Sequence, residues 1–271
     1  MSNFLFVLLN ENNIFSIIFQ CRGDVMKQVI QDYNMIFMSM VNKYDMKDSN
    51  IVRKVIHSYD VAKICYSIAS NLNMNEEERN FCYLIGLFHD IGRFKQWTIY
   101  KTYNDKESVD HGELSKDILD ELDCDELFCI DSDKEYILKE SIRYHTKEYD
   151  GNDNNLKRYI KIIKNADAYS NVFSTASGMQ QIFTSEEGYN AELLNDFYKQ
   201  NKLHKYSYKS KLDRSLMLAA CLYYVEYDFL RNEIINNNYF ENIYESFSKY
   251  LNEEESAIYK KALYDLKKSY L

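Results

Sequence analysis

A chain of 271 residues without a single proline, and with only seven glycines, holds almost nothing that would interrupt a helix. Proline breaks helices by removing a backbone donor and clashing with the preceding turn, while tight hairpins draw on glycine for positive φ. A chain poor in both favours helices over hairpins, and no strand-like alternation of apolar and polar side chains stands out. The expected fold is all-α. Three helix starts carry capping-box spacing, Asn75 with Glu78, Ser132 with Glu135 and Asn252 with Glu255. Apolar periodicity then predicts helices at about 27–42, 51–72, 76–90, 111–122, 132–146, 156–174, 190–199, 213–236, 239–249 and 253–269. The long piece between Gly92 and Asp110 reads as a loop, and Leu216 to Val225, apolar nearly all round, as part of a buried helix.

With 46% hydrophobic residues the chain has ample material for a core. No stretch has the composition of a linker, so 26–271 reads as one domain, with a core at about 50–175 and further helices at about 190–271. Residues 1–25 hold two short apolar runs split by Asn10-Glu11-Asn12-Asn13, with no basic flank and too little length to span a bilayer. They read as a non-essential extension, a misplaced start upstream of Met26, or a small docking segment. Six cysteines without a CxxC pair read as reduced, mostly buried thiols, which suits a cytoplasmic protein. A net charge of -9 argues against a general binder of nucleic acid or membrane surfaces, both of which reward basic patches. A small anionic substrate is compatible with that charge where local cations or metal ions receive it.

Four of the five histidines fall in one ordered series with two aspartates: His57, His89-Asp90, His111, His145 and Asp167. Helical spacing puts each on an apolar face. His57 goes with Val61, Ile64 and Ile68, and His89 with Cys82 and Ile85. His111 goes with Leu114, Ile118 and Leu122, His145 with Leu138 and Ile142, and Asp167 with Ile160 and Ile163. A lone histidine on such a face is more often a satisfied core residue than a ligand. Six such groups together are another matter, because burying imidazoles and unpaired carboxylates without a cation is strongly unfavourable. Divalent metal removes the difficulty, and a nitrogen and oxygen donor set suits Fe, Mn, Zn, Ni or Co. His204, outside the series, reads as exposed.

Arg93, three residues past Asp90, reads either as a surface salt bridge or as a planar fork of donors for phosphate oxygens, with Gly92 letting the chain turn sharply beside it. Lys101 to Asp110 reads as a lid or a solvated connection. Asp110 either orients a ligand histidine or caps the helix that follows. The tyrosines Tyr206, Tyr208, Tyr223, Tyr224 and Tyr227 read as core packing.

The string His57, His89-Asp90, Asp167 resembles the HD superfamily of metal-dependent phosphohydrolases, named for its His-Asp pair. His111 and His145 match the branch with an H, HD, H, H, D series, shared by HD-GYP-type and cyclic-nucleotide phosphodiesterase-type proteins. The runs His89-Asp90-Ile91-Gly92-Arg93-Phe94, Ser108-Val109-Asp110-His111-Gly112-Glu113-Leu114 and Asn165-Ala166-Asp167 look like those of a group of bacterial HD-domain proteins, over about residues 50 to 175. A chain without proline holds no Gly-Tyr-Pro motif, which argues against cyclic di-GMP hydrolysis.

The resemblance implies a helical HD-domain bundle with additional C-terminal helices and two divalent transition-metal ions. It implies that His57, His89, Asp90 and Asp167 hold one ion, and that Asp90 bridges to a second held by His111 and His145. Asp90 and Arg93 are then the catalytic residues, Arg93 standing where the HD-GYP pattern has a lysine on the substrate phosphate. The implied activity is hydrolysis of a phosphate ester, of a nucleotide or another small phosphorylated metabolite, by a hydroxide bridging the ions. The leaving-group acid stays open among Arg93, Lys95 and Asp60. An HD-type di-iron oxygenase and a non-catalytic nucleotide sensor are the alternatives to this reading.

Overall fold

The computed structural model describes residues 24–180, 186–201, 203, 206 and 208–270. The extension expected at residues 1–25 lies almost wholly outside the described residues, and His204 lies outside them too. The helices are α1 (Asp24–Val41), α2 (Ser49–Asn71), α3 (Glu76–Phe88), α4 (Ile91–Tyr100), α5 (His111–Asp120), α6 (Cys124–Phe128), α7 (Ser132–Tyr144) and α8 (Asn154–Ala176). They continue with α9 (Ala191–Tyr198), α10 (Lys211–Ala219), α11 (Asp228–Asn236), α12 (Tyr239–Ser248) and α13 (Glu253–Tyr270). Among the described residues there is no strand, only an isolated parallel bridge between Glu186 and Ser210. The fold is all-α, as the lack of breakers predicts. No described helix is long and apolar enough to cross a membrane.

The helix starts follow their capping chemistry. Asn75 and Glu78 form the reciprocal box, each side chain accepting from the other's backbone N–H at 2.9 Å. Asn252 and Glu255 do the same at 3.1 and 2.9 Å. The third expected box is displaced by one residue: Asp131 caps α7 by accepting from Lys134 N at 2.8 Å, so Ser132 is already helical. Asp131 is as good an N-cap as serine, and its negative charge also suits the positive end of the helix dipole.

The core is built around α3, whose Phe81, Leu84, Ile85, Leu87 and Phe88 are all buried. α2 lies against it through Val61, Ala62, Cys65 and Ile68. The approach is close because Gly86 has no side chain: a Cβ there would fall 2.8 Å from Ala62 Cα and 2.9 Å from Cys65 Sγ. Gly86→Ala is therefore expected to force apart the two helices that carry His57 and His89, at about 1–3 kcal/mol of overpacking. Urea unfolding reads this directly, and a variant as stable as the parent would show that the contact yields freely. α1 closes the far side through Phe37, whose ring meets Tyr59, Phe88 and Phe94 edge-on at 5.7, 5.5 and 6.0 Å.

Two expectations need correction. The loop expected from Gly92 is helical as far as Tyr100, with Ile91, Gly92, Phe94 and Gln96 buried; its short apolar pattern is masked by Gly92 and by the polar residues between. The helix expected over 213–236 is broken. α10 ends at Ala219, tightens into a 3₁₀ turn over Ala220–Tyr224 and resumes only at α11. The interruption is held by Asn165, whose Oδ1 on α8 accepts from Glu226 N at 2.6 Å. Leu216, Leu222 and Val225 are buried as expected. Tyr223 packs on Phe197, and its hydroxyl donates to the Phe197 carbonyl at 2.5 Å, whereas Tyr208 and Tyr224 are exposed. The described cysteines are free, with Cys65, Cys82 and Cys124 buried.

Candidate metal centre

His89 and Asp90 sit between two helices: His89 closes α3 and Asp90 precedes α4. Asp90 has φ -105° and ψ 19°, in the sparsely allowed bridge region common at functional sites. This break lets two adjacent residues aim side chains into one place, which a continuous helix would not allow. The other groups arrive from the middle of α2 (His57), the start of α5 (His111), the end of α7 (His145) and the middle of α8 (Asp167). All six residues named from the sequence come together.

The Asp90 carboxylate has two occupied faces. Its Oδ2 lies 3.7 Å from His57 Nε2 and 3.5 Å from His89 Nε2. Asp167 Oδ1 completes that side, 3.0 Å from His57 Nε2 and 3.9 Å from His89 Nε2. Asp90 Oδ1 faces the other way, 3.5 Å from His111 Nε2 and 3.9 Å from His145 Nε2. Groups able to hold a metal ion include His57 with His89 and Asp167, and His89 with Asp90 and His145.

The ring orientations fit a cation. His89 Nδ1 donates to the Gly86 carbonyl at 2.7 Å, and His145 Nδ1 to the Ile142 carbonyl at 2.5 Å. His111 Nδ1 is held by Asp105 Oδ2 at 2.6 Å, and His57 Nδ1 meets Ser170 Oγ at 3.2 Å. With the proton on Nδ1, each Nε2 presents a lone pair to the cluster. His89 Nε2 is buried without a hydrogen-bond partner. The Nε2 atoms of His111 and His145 stand 3.1 Å apart, a separation at which two lone pairs repel unless a positive centre lies beside both. Neutral imidazoles and ionised carboxylates are the forms that bind divalent metal. Burial pushes His145 down to about 3, aided by the neighbouring imidazoles His111 and His89. Burial also lowers His57 and His111, whereas at His89 burial is outweighed by the carboxylates of Asp90 and Asp167, which raise it in the metal-free protein. Burial opposes charge on Asp90 and Asp167, yet Lys54 and His89 hold Asp90, and His57 and His89 hold Asp167, below the usual carboxylate range.

Lys54 was not named from the sequence. Its Nζ lies 2.6 Å from Asp90 Oδ2, putting an ammonium on the His57 side of the cluster. The available signal was its place three residues before His57, on the same face of α2.

Arg93 does reach the site. Its Nη1 donates to Gln96 Oε1, the Tyr103 carbonyl and Asp105 Oδ1 at 2.7, 2.6 and 2.8 Å. Its Nε is buried without a hydrogen-bond partner, 3.6 Å from Asp90 Oδ1. One edge of the guanidinium thus fastens the loop over 101–110 while the other faces the cluster. Gln96, fully buried, adds bonds from Nε2 to Asp105, Ser108 and the Val109 carbonyl at 2.9, 2.8 and 3.0 Å. The loop is stitched down, and Asp105 within it orients His111. Asp110 takes the capping role, its Oδ1 accepting from Gly112 N and Glu113 N at 2.8 and 3.0 Å. Gly92 serves close packing rather than a sharp turn, since a Cβ there would lie 2.7 Å from Ser115 N. Lys95 is exposed, and Asp60 faces Lys63 at 3.9 Å.

Residues 55–172 match the family model described as the HD domain. No curated protein and no solved structure gives a significant match to the chain.

Proposed function

Since residues 55–172 are an HD domain, a domain of the metal-dependent phosphohydrolase superfamily, we propose that the protein hydrolyses a phosphate ester of a nucleotide or another small phosphorylated metabolite. The observation that carries this reading is the two-faced environment of Asp90, with His57, His89 and Asp167 about one oxygen and His111 and His145 about the other. The first set would hold one divalent ion and the second another, with Asp90 shared. Ions bound there supply concentrated positive charge to a phosphoryl group and lower the pKa of water.

The chain's own groups have distinct tasks in this reading. Arg93 directs the free edge of its guanidinium toward the phosphate, a planar donor matched to phosphate oxygens. Lys54 balances Asp90 in the metal-free protein. The stitched loop over 101–110 shields the cluster and fixes the His111 ring. Asp105→Ala is accordingly expected to weaken binding at the His111 side by about 10–100-fold, the usual effect of removing a partner that orients a ligand. Metal titration against a competing chelator measures it, and an unchanged affinity would exclude Asp105 as the orienting group.

Activity itself is tested on protein stripped with chelator and refilled with Mn, Co, Ni or Fe. Hydrolysis of at least one member of a panel of phosphomonoesters, cyclic nucleotides and nucleoside phosphates is expected, and chelator should abolish it. Silence across the panel with metal bound would contradict the proposal.

A further inference from the structure

Gln96 lies three residues after Arg93 on the same side of α4 and is fully buried. Its Oε1 accepts from Arg93 Nη1 at 2.7 Å. Its Nε2 faces three acceptors, Asp105 Oδ1 at 2.9 Å, Ser108 Oγ at 2.8 Å and the Val109 carbonyl at 3.0 Å. These partners fix which way the amide points, because a guanidinium only donates while a carboxylate and a carbonyl only accept. Ser108 agrees, since its own proton goes to the Asn104 carbonyl at 2.9 Å. The two ends of the loop are held by other groups. At its start Tyr103 stacks on Trp97 with ring centroids 5.0 Å apart and donates its hydroxyl to the Asn50 carbonyl at 3.0 Å. At its end Asp110 caps α5. Between them Asp105 reaches Arg93 Nη1 at 2.8 Å and His111 Nδ1 at 2.6 Å.

One amide therefore joins two lines of contact that end at the cluster. Through Oε1 it bears on Arg93, whose Nε is buried without a hydrogen-bond partner, 3.6 Å from Asp90 Oδ1. Through Nε2 it bears on Asp105, which sets the His111 ring, and His111 Nε2 lies 3.5 Å from the same Asp90 oxygen. Arg93 and Asp105 attract one another directly, but Coulomb attraction fixes a distance far better than a direction. The amide supplies the direction, because a buried polar network with its donors and acceptors matched is rigid and admits one arrangement. A methionine would fill the same space without directing either group.

We infer that Gln96 is a positioning residue for the chemistry at the cluster: its single amide aims the Arg93 guanidinium toward the phosphate and, through Asp105, the His111 ring toward the second ion. Gln96 itself touches neither phosphate nor metal. This rests on the reading of the cluster as a paired metal centre that receives phosphate, but it can be tested without turnover.

The test compares full-length wild type with Gln96→Glu and Gln96→Met. The first substitution keeps the shape and the acceptor toward Arg93 but sets a carboxylate against Asp105; the second keeps the bulk and loses both directions. In the metal-free protein the His111 Nδ1 proton, bonded to Asp105, should give a low-field imidazole NMR signal, assigned by its absence from His111→Ala. Both variants are expected to lose it. Mn titrated against a competing chelator should bind about 10–100-fold more weakly at the His111 side. Mn-loaded protein should bind inorganic phosphate about tenfold more weakly. In a His111→Ala background, which retains the His57 side alone, Gln96→Met should change Mn affinity by less than about threefold. A brace that only stabilised the fold would weaken Mn equally in both backgrounds, and urea unfolding measures that part separately. In wild type the side-chain amide resonances of Gln96 should shift when Zn and then phosphate bind, a readout that needs no variant to fold. An unaltered imidazole signal, unaltered Mn and phosphate affinities, equal losses in the two backgrounds, or an amide indifferent to bound Zn and phosphate overturns the assignment. In a wild type that binds neither Mn nor phosphate, loss of the imidazole signal would uphold the hold of Gln96 on His111 and sink the metal-centre reading instead.

Discussion

Asp90→Ala is expected to release both metal ions together and to lower turnover by about three orders of magnitude or more. Among the six clustered residues Asp90 is the one whose two oxygens face both sets of nitrogens, Oδ2 toward His57 and His89 and Oδ1 toward His111 and His145. Without it each set loses its shared carboxylate, and two imidazoles with Asp167, or two facing one another, are poor sites alone. The loss should extend to the metal-free fold. Asp90 is nearly fully buried and paired with the Lys54 ammonium at 2.6 Å, and removing one member of a buried pair costs about 3–5 kcal/mol. Elemental analysis, turnover and urea unfolding give the three readouts. Retention of one tightly bound ion would show that the carboxylate is not shared.

Lys54→Met is expected to act in opposite directions on stability and on metal affinity. In the stripped protein the ammonium neutralises a carboxylate that His89 and Arg93 also help to keep ionised. Its removal leaves Asp90 buried without its closest cation, so unfolding should become easier by about 3–5 kcal/mol. An ion approaching Oδ2 must displace or crowd that same ammonium, so metal affinity should rise by about tenfold once it is gone. Urea denaturation of the stripped variant and a chelator competition separate the two effects. The substitution combined with Asp90→Ala should cost far less than the sum of the single changes, because the groups act as a pair. Weaker metal binding in Lys54→Met would mean that the lysine supports the site.

Much of this site was legible because its residues sit at helical spacing on apolar faces. His57, His89, His111, His145 and Asp167 each share a side of a helix with aliphatic residues, and burial draws them inward. What escaped the sequence depends on contacts between distant segments. Asp105 and Asp110 are equivalent on paper, one residue type within six positions; the turn before α5 makes Asp110 the cap and leaves Asp105 for His111. Lys54 resembles any basic residue on an amphipathic helix until Asp90 arrives beside it. The sequence reads α4 as loop because Gly92 and a short polar run dilute its periodicity, and it misses the break after α10, where the contact that holds Glu226 comes from Asn165, sixty-one positions away in the chain. The all-α class needed none of this, since a chain without proline leaves its helices few places to stop.

The most direct measurement is the metal content of wild type, His111→Ala and His57→Ala, each equilibrated with Mn and freed of loosely bound ions before elemental analysis. Two ions per chain are expected in the wild type and one in His111→Ala, with the survivor lost when His57→Ala is added. A wild type that binds no metal, or a His111→Ala variant that keeps both ions, would contradict a paired centre shared through Asp90.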